Sequence, residues 1–395
     1  MTSQTLPKTE SLSKPQRFTL DGSDALELHL ERICGRVLEE VRSVVPGRAL
    51  EALVLGGGYG RGQGGVLKTE DGEQPYNDLE FYVFVRGNRL WNEHRYRAGL
   101  AECARRLSRE AALHVEFKVD SITRLRRSPV SMFSYDLIAR HRMLHGTEAL
   151  FRGCAHHLAP ERIPVSEATR LLFNRCTGLL LTKELLQKSA LTPEEANFAG
   201  RNFAKAKLAL GDAVLAACGR YHWSCLERHT RIKHLTMAGP PPWLPRCQDL
   251  HQEAVEFKLH PQRICQSLEE LRPELDELAE LALQVWLWLE ARRLCRHFAS
   301  AREYAFHRAK KWPGTSVWKN LLLNVKTFGL KAALGTYGAR YPRERLFNAL
   351  CLLLWNNAPK TGCRDTQHLQ QQLRTNAHDW AGLVAVYKQI WHSYG

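Results

Sequence analysis

The sequence Asn77-Asp78-Leu79-Glu80 puts two carboxylates two residues apart, just before the apolar run Phe81-Tyr82-Val83-Phe84-Val85. In an extended strand, residues i and i+2 project from the same face. Paired acids repel one another and resist burial, so this spacing calls for a cation between them. Oxygen donors of this kind suit Mg²⁺, which keeps part of its water and shares substrate phosphates. A second alternating stretch, residues 113–122, places Glu116, Lys118 and Asp120 on one face. Glu116 and Asp120 are four residues apart, roughly 13 Å along a strand, so only one can join the first pair. Glu116 is the expected one, because Val115 and Phe117 flank it centrally in the strand. Asp120 precedes Ser121 near the strand end, where turn or cap roles are common. Three acids can hold two metal ions, and two metals can activate a hydroxyl and stabilise a leaving oxygen at phosphorus.

Upstream lies Gly56-Gly57-Gly58-Tyr59-Gly60-Arg61-Gly62. Glycine lets a backbone bend sharply and approach a ligand without a Cβ in the way. Successive N–H groups in such a turn can cradle phosphate oxygens, and the Arg61 fork can add a charged contact. No long βαβ pattern follows the glycines, which argues against a dinucleotide site.

Taken in order, these motifs resemble the DNA-polymerase-β-like nucleotidyltransferase superfamily. Gly57 and Gly58 match its Gly-[Gly/Ser] pair, and Arg61-Gly62 matches the Arg-Gly that often follows. Asp78 and Glu80 match its two metal carboxylates, and Val115-Glu116-Phe117 its third acidic element. Tyr135–Ile138 and Arg142–Gly146 look like the helix and turn closing the minimal domain. Asn202–Asp212 is similar to a helix of attached helical domains. Three departures accompany the match: a long segment 63–77, glycine at Gly58 where serine is common, and glutamate at Glu80 where aspartate is common. The resemblance implies transfer of a nucleoside monophosphate from a nucleoside triphosphate, with ATP the expected donor, to an acceptor hydroxyl with release of pyrophosphate. It implies Asp78, Glu80 and Glu116 as catalytic metal ligands for Mg²⁺, and Gly57, Gly58 and Arg61 against the phosphates. Lys205 and Lys207 are further candidates, since related helical domains place a lysine near the triphosphate. The acceptor is open: a small molecule, a tRNA or other RNA, or a protein. The alternative is a catalytically degenerate transferase fold acting as a nucleotide- or RNA-binding module.

The elements that must hold these residues are legible as patterns. Leu26, Leu28, Ile33, Val37, Leu38, Val41 and Val44 predict a helix over 24–45, closed by Pro46-Gly47. Strands are expected near 50–55, 78–85 and 113–122, a loop at 63–77, and a helix over 92–110. From Ser131 onward the spacing is helical, over 131–145, 166–189, 194–218 and 249–260, with a proline-rich break at 237–246. A helix from Pro273 to about Phe298 carries Leu275, Leu278, Ala282, Val285 and Leu289 on one stripe, with Pro273 in its first turn. The tail 315–395 also reads as helices. The fold class is α+β: a small mixed-sheet nucleotidyltransferase domain and a large all-α region. The expected domains are a loosely ordered 1–22, the transferase domain 23–150, a helical domain 151–240 and a C-terminal helical domain 241–395.

The formal charge of +15 and pI near 9.4 favour polyanionic partners such as a nucleoside triphosphate or RNA. Eleven cysteines without a CxxC pair argue against a disulfide framework or structural zinc and fit a reducing, cytoplasmic setting. No apolar run suggests a membrane span, and the polar start is unlike a secretory signal. His156 and His157 read as surface or loop residues. Trp286, Trp288, Trp312, Trp318 and Trp355 read as core.

Overall fold

A computed structural model describes residues 17–312, 314–330, 337–356 and 363–393. The chain divides into two compact units. Unit 1 is Met1–Ala159 with Trp223–Cys225 and Lys258–Gln262; unit 2 is Pro160–His222, Leu226–Phe257 and Arg263–Gly395. The architecture is α+β, a small sheet-bearing unit and a large helical one.

Unit 1 runs α1 (Asp24–Val44), β1 (Leu50–Leu55), the single turn α2 (Gly57–Gly60), β2 (Val66–Thr69), β3 (Gly72–Pro75), β4 (Leu79–Val85), α3 (Arg89–Ala111), β5 (Val115–Asp120), α4 (Ile122–Arg127), α5 (Met132–Ala139) and β6 (Arg142–His145). The main sheet has the order β5-β4-β1-β6. β1 is antiparallel to both of its neighbours, and β4 is parallel to β5. Strand alternation divides the core in two. Leu53, Leu55, Phe81, Val83 and Val85 pack with Leu30, Ile33 and Val37 of α1 and Leu100 and Leu107 of α3. Ala52, Val54, Tyr82 and Phe84 face Ile122, Leu125, Leu137 and Cys154 on the other side. Each large side chain buried this way contributes about 1.5–3 kcal/mol. β4 is therefore buried on both faces, and Glu80 is carried on the Tyr82 face.

Three expectations for this unit need correction. Residues 63–77 are not only loop, because β2 and β3 form a hairpin across Glu70-Asp71. The helical reading of 131–145 stops at α5, and Arg142–His145 is a strand because the free edge of β1 recruits it. His157 is fully buried, not on the surface, with Nε2 2.9 Å from Leu125 O. Of the loosely ordered stretch expected at 1–22, residues 1–16 lie outside the described residues. Phe18 and Thr19 are buried, with both backbone N–H groups donating to Glu27.

Unit 2 contains α6 (Val165–Leu185), α7 (Pro193–Ala217), most of α8 (Cys225–Lys233) and α9 (Leu244–Leu259), α10 (Leu268–Leu294), α11 (Ala301–Phe306), α12 (Val317–Phe328), α13 (Pro342–Trp355), α14 (Arg364–Leu373) and α15 (Trp380–Trp391). Capping boxes start α7 (Thr192 with Glu195) and α10 (Ser267 with Glu270). The Ser267 cap starts α10 five residues before Pro273, which lies inside the helix and not in its first turn. Within unit 2, α10 packs on both α6 and α7. Trp286 is fully buried, Trp288, Trp312 and Trp355 are half-buried, and Trp318 is exposed. All eleven cysteines are free. Among the described residues, no helix is long and apolar enough to cross a membrane.

Candidate functional site

The glycine turn is tied to the acidic strand by its backbone. Gly56 N–H donates to Glu80 O at 2.9 Å, where β1 gives way to α2. Gly57 has φ +61, the left-handed region that favours glycine, and a Cβ there would lie 3.7 Å from Glu80 Cδ. The first N–H groups of any helical turn lack an acceptor within it, so α2 opens with donors beside a carboxylate. Arg61, just after the turn, pairs with Asp136 at 3.0 Å, and its Nε is buried with no partner among the described residues.

Tyr59 locks the chain between the turn and β4. Its buried hydroxyl donates to Gly65 O at 2.8 Å and accepts from Tyr76 N and Asn77 N at 2.8 and 3.3 Å. Burial pushes its phenol up to about 12, so it stays a donor at neutral pH. A side chain at Gly64 would run into the Tyr59 ring. Asn77 Oδ1 accepts from Gly65 N at 2.9 Å. The segment 63–77 is thereby clamped at both ends, immediately before Asp78.

The parallel pairing of β4 and β5 sets Glu80 opposite Glu116 and Tyr82 opposite Lys118. Lys118 Nζ lies 3.5 Å from Glu80 Oε2 and 3.1 Å from Glu116 Oε2. Tyr82 donates its hydroxyl to Glu80 Oε2 at 2.7 Å, and burial holds that phenol far above its ordinary pKa. The three charged side chains are between 34% and 45% exposed, so each contact is worth at most about 1 kcal/mol.

Asp78 sits one residue before β4 with its side chain 65% exposed, and His114 Nδ1 is 3.9 Å from it. Among the described residues, no group of three His, Cys, Asp or Glu side chains is placed to hold a metal. The structure thus pairs Glu80 with Glu116, sets Glu80 beside Gly57 and leaves Asp78 outside that pair. Asp120 is buried, accepts from Ser121 N at 2.7 Å and takes both oxygens to Arg124. Lys205 is an exposed residue of α7 in unit 2. Lys207, on the same helix, is held by Glu253 and Glu274 at 2.8 Å each. Burial lowers its pKa, but those carboxylates outweigh burial and leave it raised.

Sequence reasoning missed Lys118, Tyr82 and Tyr59 as parts of the site. The i+2 spacing of Lys118 from Glu116 was the available signal for the first. The two tyrosines read as ordinary apolar positions.

No family model, curated protein or solved structure matches this chain.

Proposed function

We propose that unit 1 is a metal-dependent nucleotidyltransferase domain, moving a nucleoside monophosphate from a nucleoside triphosphate, with ATP the expected donor, to an acceptor hydroxyl. The observation that carries this reading is the left-handed Gly57 packed against Glu80, with Glu116 in register on the next strand. The donors suit Mg²⁺ by their chemistry. Two carboxylates already share a cation, the Lys118 ammonium, which stands where a hard ion is called for. Glu80 and Glu116 would hold the metal, and Asp78, one residue before β4 and outside that pair, would have to turn toward them to serve as the third donor. When bound, Mg²⁺ supplies charge neutralisation at the transferring phosphate. The chain supplies position: the α2 amides receive phosphate oxygens, Tyr59 holds the loop that presents Asp78, and Tyr82 orients the Glu80 carboxylate.

A second reading rests on Lys118. Its ammonium between the acids also fits a degenerate fold that binds nucleotide or RNA without turnover. Pyrophosphate release from labelled triphosphates with Mg²⁺, across candidate acceptors, separates the two. On the transferase reading the wild type releases pyrophosphate, Glu116→Gln loses at least about a hundredfold in rate, and Asp120→Asn retains transfer while losing stability. Nucleotide binding without turnover, unchanged by Glu116→Gln, selects the second reading.

A further inference from the structure

Unit 2 contains a cavity of about 330 Å³ between α11, the 337–340 segment and α14. Arg308, Arg340 and Arg364 all line it, and none of its lining residues is a carboxylate. Like charges gathered around one cavity repel, so the arrangement normally needs acidic neighbours. The neighbouring acids are committed elsewhere. Asp365, next to Arg364, bonds Arg302 Nε at 2.9 Å and Asn356 Nδ2 at 2.6 Å. Glu344 is 3.5 Å from Arg340, but its two oxygens accept from Lys311 N and Trp312 N at 3.0 Å each. The guanidiniums of Arg308 and Arg364 have no hydrogen bond or ion pair to any described residue.

The cationic groups are also oriented. Arg364 lies over the Phe306 ring with Cζ 5.1 Å from its centroid, and that ring stacks on His368 at 4.1 Å. Arg340 lies over Tyr337 at 5.3 Å and donates to Ala309 O at 2.9 Å and to Arg308 O. Arg364, backed by an aromatic face, keeps its N–H edge for a ligand, while Arg340, with both terminal nitrogens already donating to backbone carbonyls, adds its charge and its remaining N–H groups. Gln367 and Gln371 are one helical turn apart on α14, and both line the cavity.

We propose that this cavity is a phosphate-binding site, in which Arg308, Arg340 and Arg364 hold a dianionic phosphate group and Gln367 and Gln371 add neutral donors. Arginine forks match tetrahedral phosphate oxygens better than any other side chain. The volume is at the lower end of small-molecule sites, which suits one phosphate group with a small body attached. The group can arrive as a free phosphate compound or as the phosphorylated end of an RNA strand.

The test is calorimetric titration of the full-length protein in EDTA. The titrants are inorganic phosphate, pyrophosphate and short single-stranded RNA carrying either a 5′-phosphate or a 5′-hydroxyl. R308A/R364A is expected to weaken phosphate-group binding by about a hundredfold, tenfold for each lost charge-assisted contact. R32A/R36A removes the same charge from α1 and should change nothing. Both substituted arginines in the cavity are exposed, so folding is expected to survive, and a circular-dichroism melt checks it. Binding of phosphate or pyrophosphate identifies a free phosphate compound; binding of 5′-phosphorylated RNA alone identifies the RNA end. The proposal is overturned if no titrant binds, if RNA binds regardless of its 5′ group while phosphate and pyrophosphate do not bind, or if binding is unchanged in R308A/R364A. Loss of binding in R61A but not in R308A/R364A would place the ligand on the glycine turn and also overturn it.

Discussion

Glu80 in unit 1 and Glu290 in unit 2 are built from similar parts and come to opposite ends. Each accepts a tyrosine hydroxyl at 2.7 Å, from Tyr82 and Tyr304 respectively. Each also has a basic neighbour. Glu290 is fully buried, and its remaining acceptor capacity is taken by Thr169 Oγ1 and Arg293 Nε, both at 2.7 Å, with Arg293 reaching its second oxygen too. Glu80 is one-third exposed, its lysine is 3.5 Å away, and a second carboxylate sits across the strand pair. A fully satisfied buried ion pair fixes a structure, because neither partner has anywhere else to go. A half-exposed acid pair sharing one loosely placed ammonium fixes little and can exchange its cation. That contrast separates a structural carboxylate from a candidate ligand.

The comparison breaks most visibly if the two glutamates are substituted alike. Glu290→Gln leaves the Arg293 charge buried and unpaired and should cost about 3–5 kcal/mol in urea unfolding. Glu80→Gln should change stability by no more than about 1 kcal/mol while abolishing pyrophosphate release. Equal stability losses in the two variants would mean that Glu80 is as structural as Glu290.

Much of unit 1 was legible because its signals are local. The apolar stripe of α1, the glycine stop after β1 and the aromatic run of β4 announce their elements within a few residues. What escaped was set by pairing. The β2–β3 hairpin carries an Asp71-Gly72 turn signal, with Gly72 at φ +116, but its strands are four residues long and half polar. β6 reads RMLH, too short for alternation to decide, and it is a strand only because β1 has an open edge. The same holds at the site. The carboxylates could be picked from spacing, but the cross-strand register of Glu80 with Glu116, and not of Asp78 with either, is a property of the folded sheet. In unit 2, helical spacing located the helices. The cavity arginines come from segments 308, 340 and 364, whose convergence no spacing rule could show.

A smaller effect sharpens the contrast through pH. His368 is buried in unit 2, with Nε2 3.2 Å from Ala305 O. Burial pulls its pKa down to about 4, partly opposed by that bond. An unfolded histidine titrates near 6.5. Between these values the unfolded chain binds a proton that the folded chain refuses, so stability falls as pH drops from about 6.5 to about 4 and His368 adds no further loss below that. His368→Gln keeps an N–H donor without the titration. Urea unfolding at a series of pH values should show its slope in this window reduced by at most about 1.4 kcal/mol per pH unit. An unchanged slope would show that the folded protein takes up the proton at His368 as readily as the unfolded chain.

The smallest expected change in stability goes with the most direct question about the site. Lys118 is 42% exposed, and its ammonium meets two partly exposed acids and lies 5.5 Å from the centre of the Tyr82 ring, so Lys118→Met should alter folding stability by less than about 1 kcal/mol. Its effect on cations should be larger. In the wild type the ammonium satisfies Glu80 and Glu116, and any divalent ion must displace it. In Lys118→Met the two carboxylates remain in register with no countercharge between them. Mn²⁺ or Mg²⁺ affinity, measured by titration calorimetry, should therefore rise about tenfold, the equivalent of one displaced ammonium contact. Adding Glu116→Gln should remove the gain, because one carboxylate no longer has a partner acid to share a cation with. If Lys118→Met binds Mn²⁺ no better than the wild type, Glu80 and Glu116 are not a cation pair. If it instead loses several kcal/mol of stability, Lys118 is a structural residue like Arg293, and the distinction drawn between the two glutamates collapses.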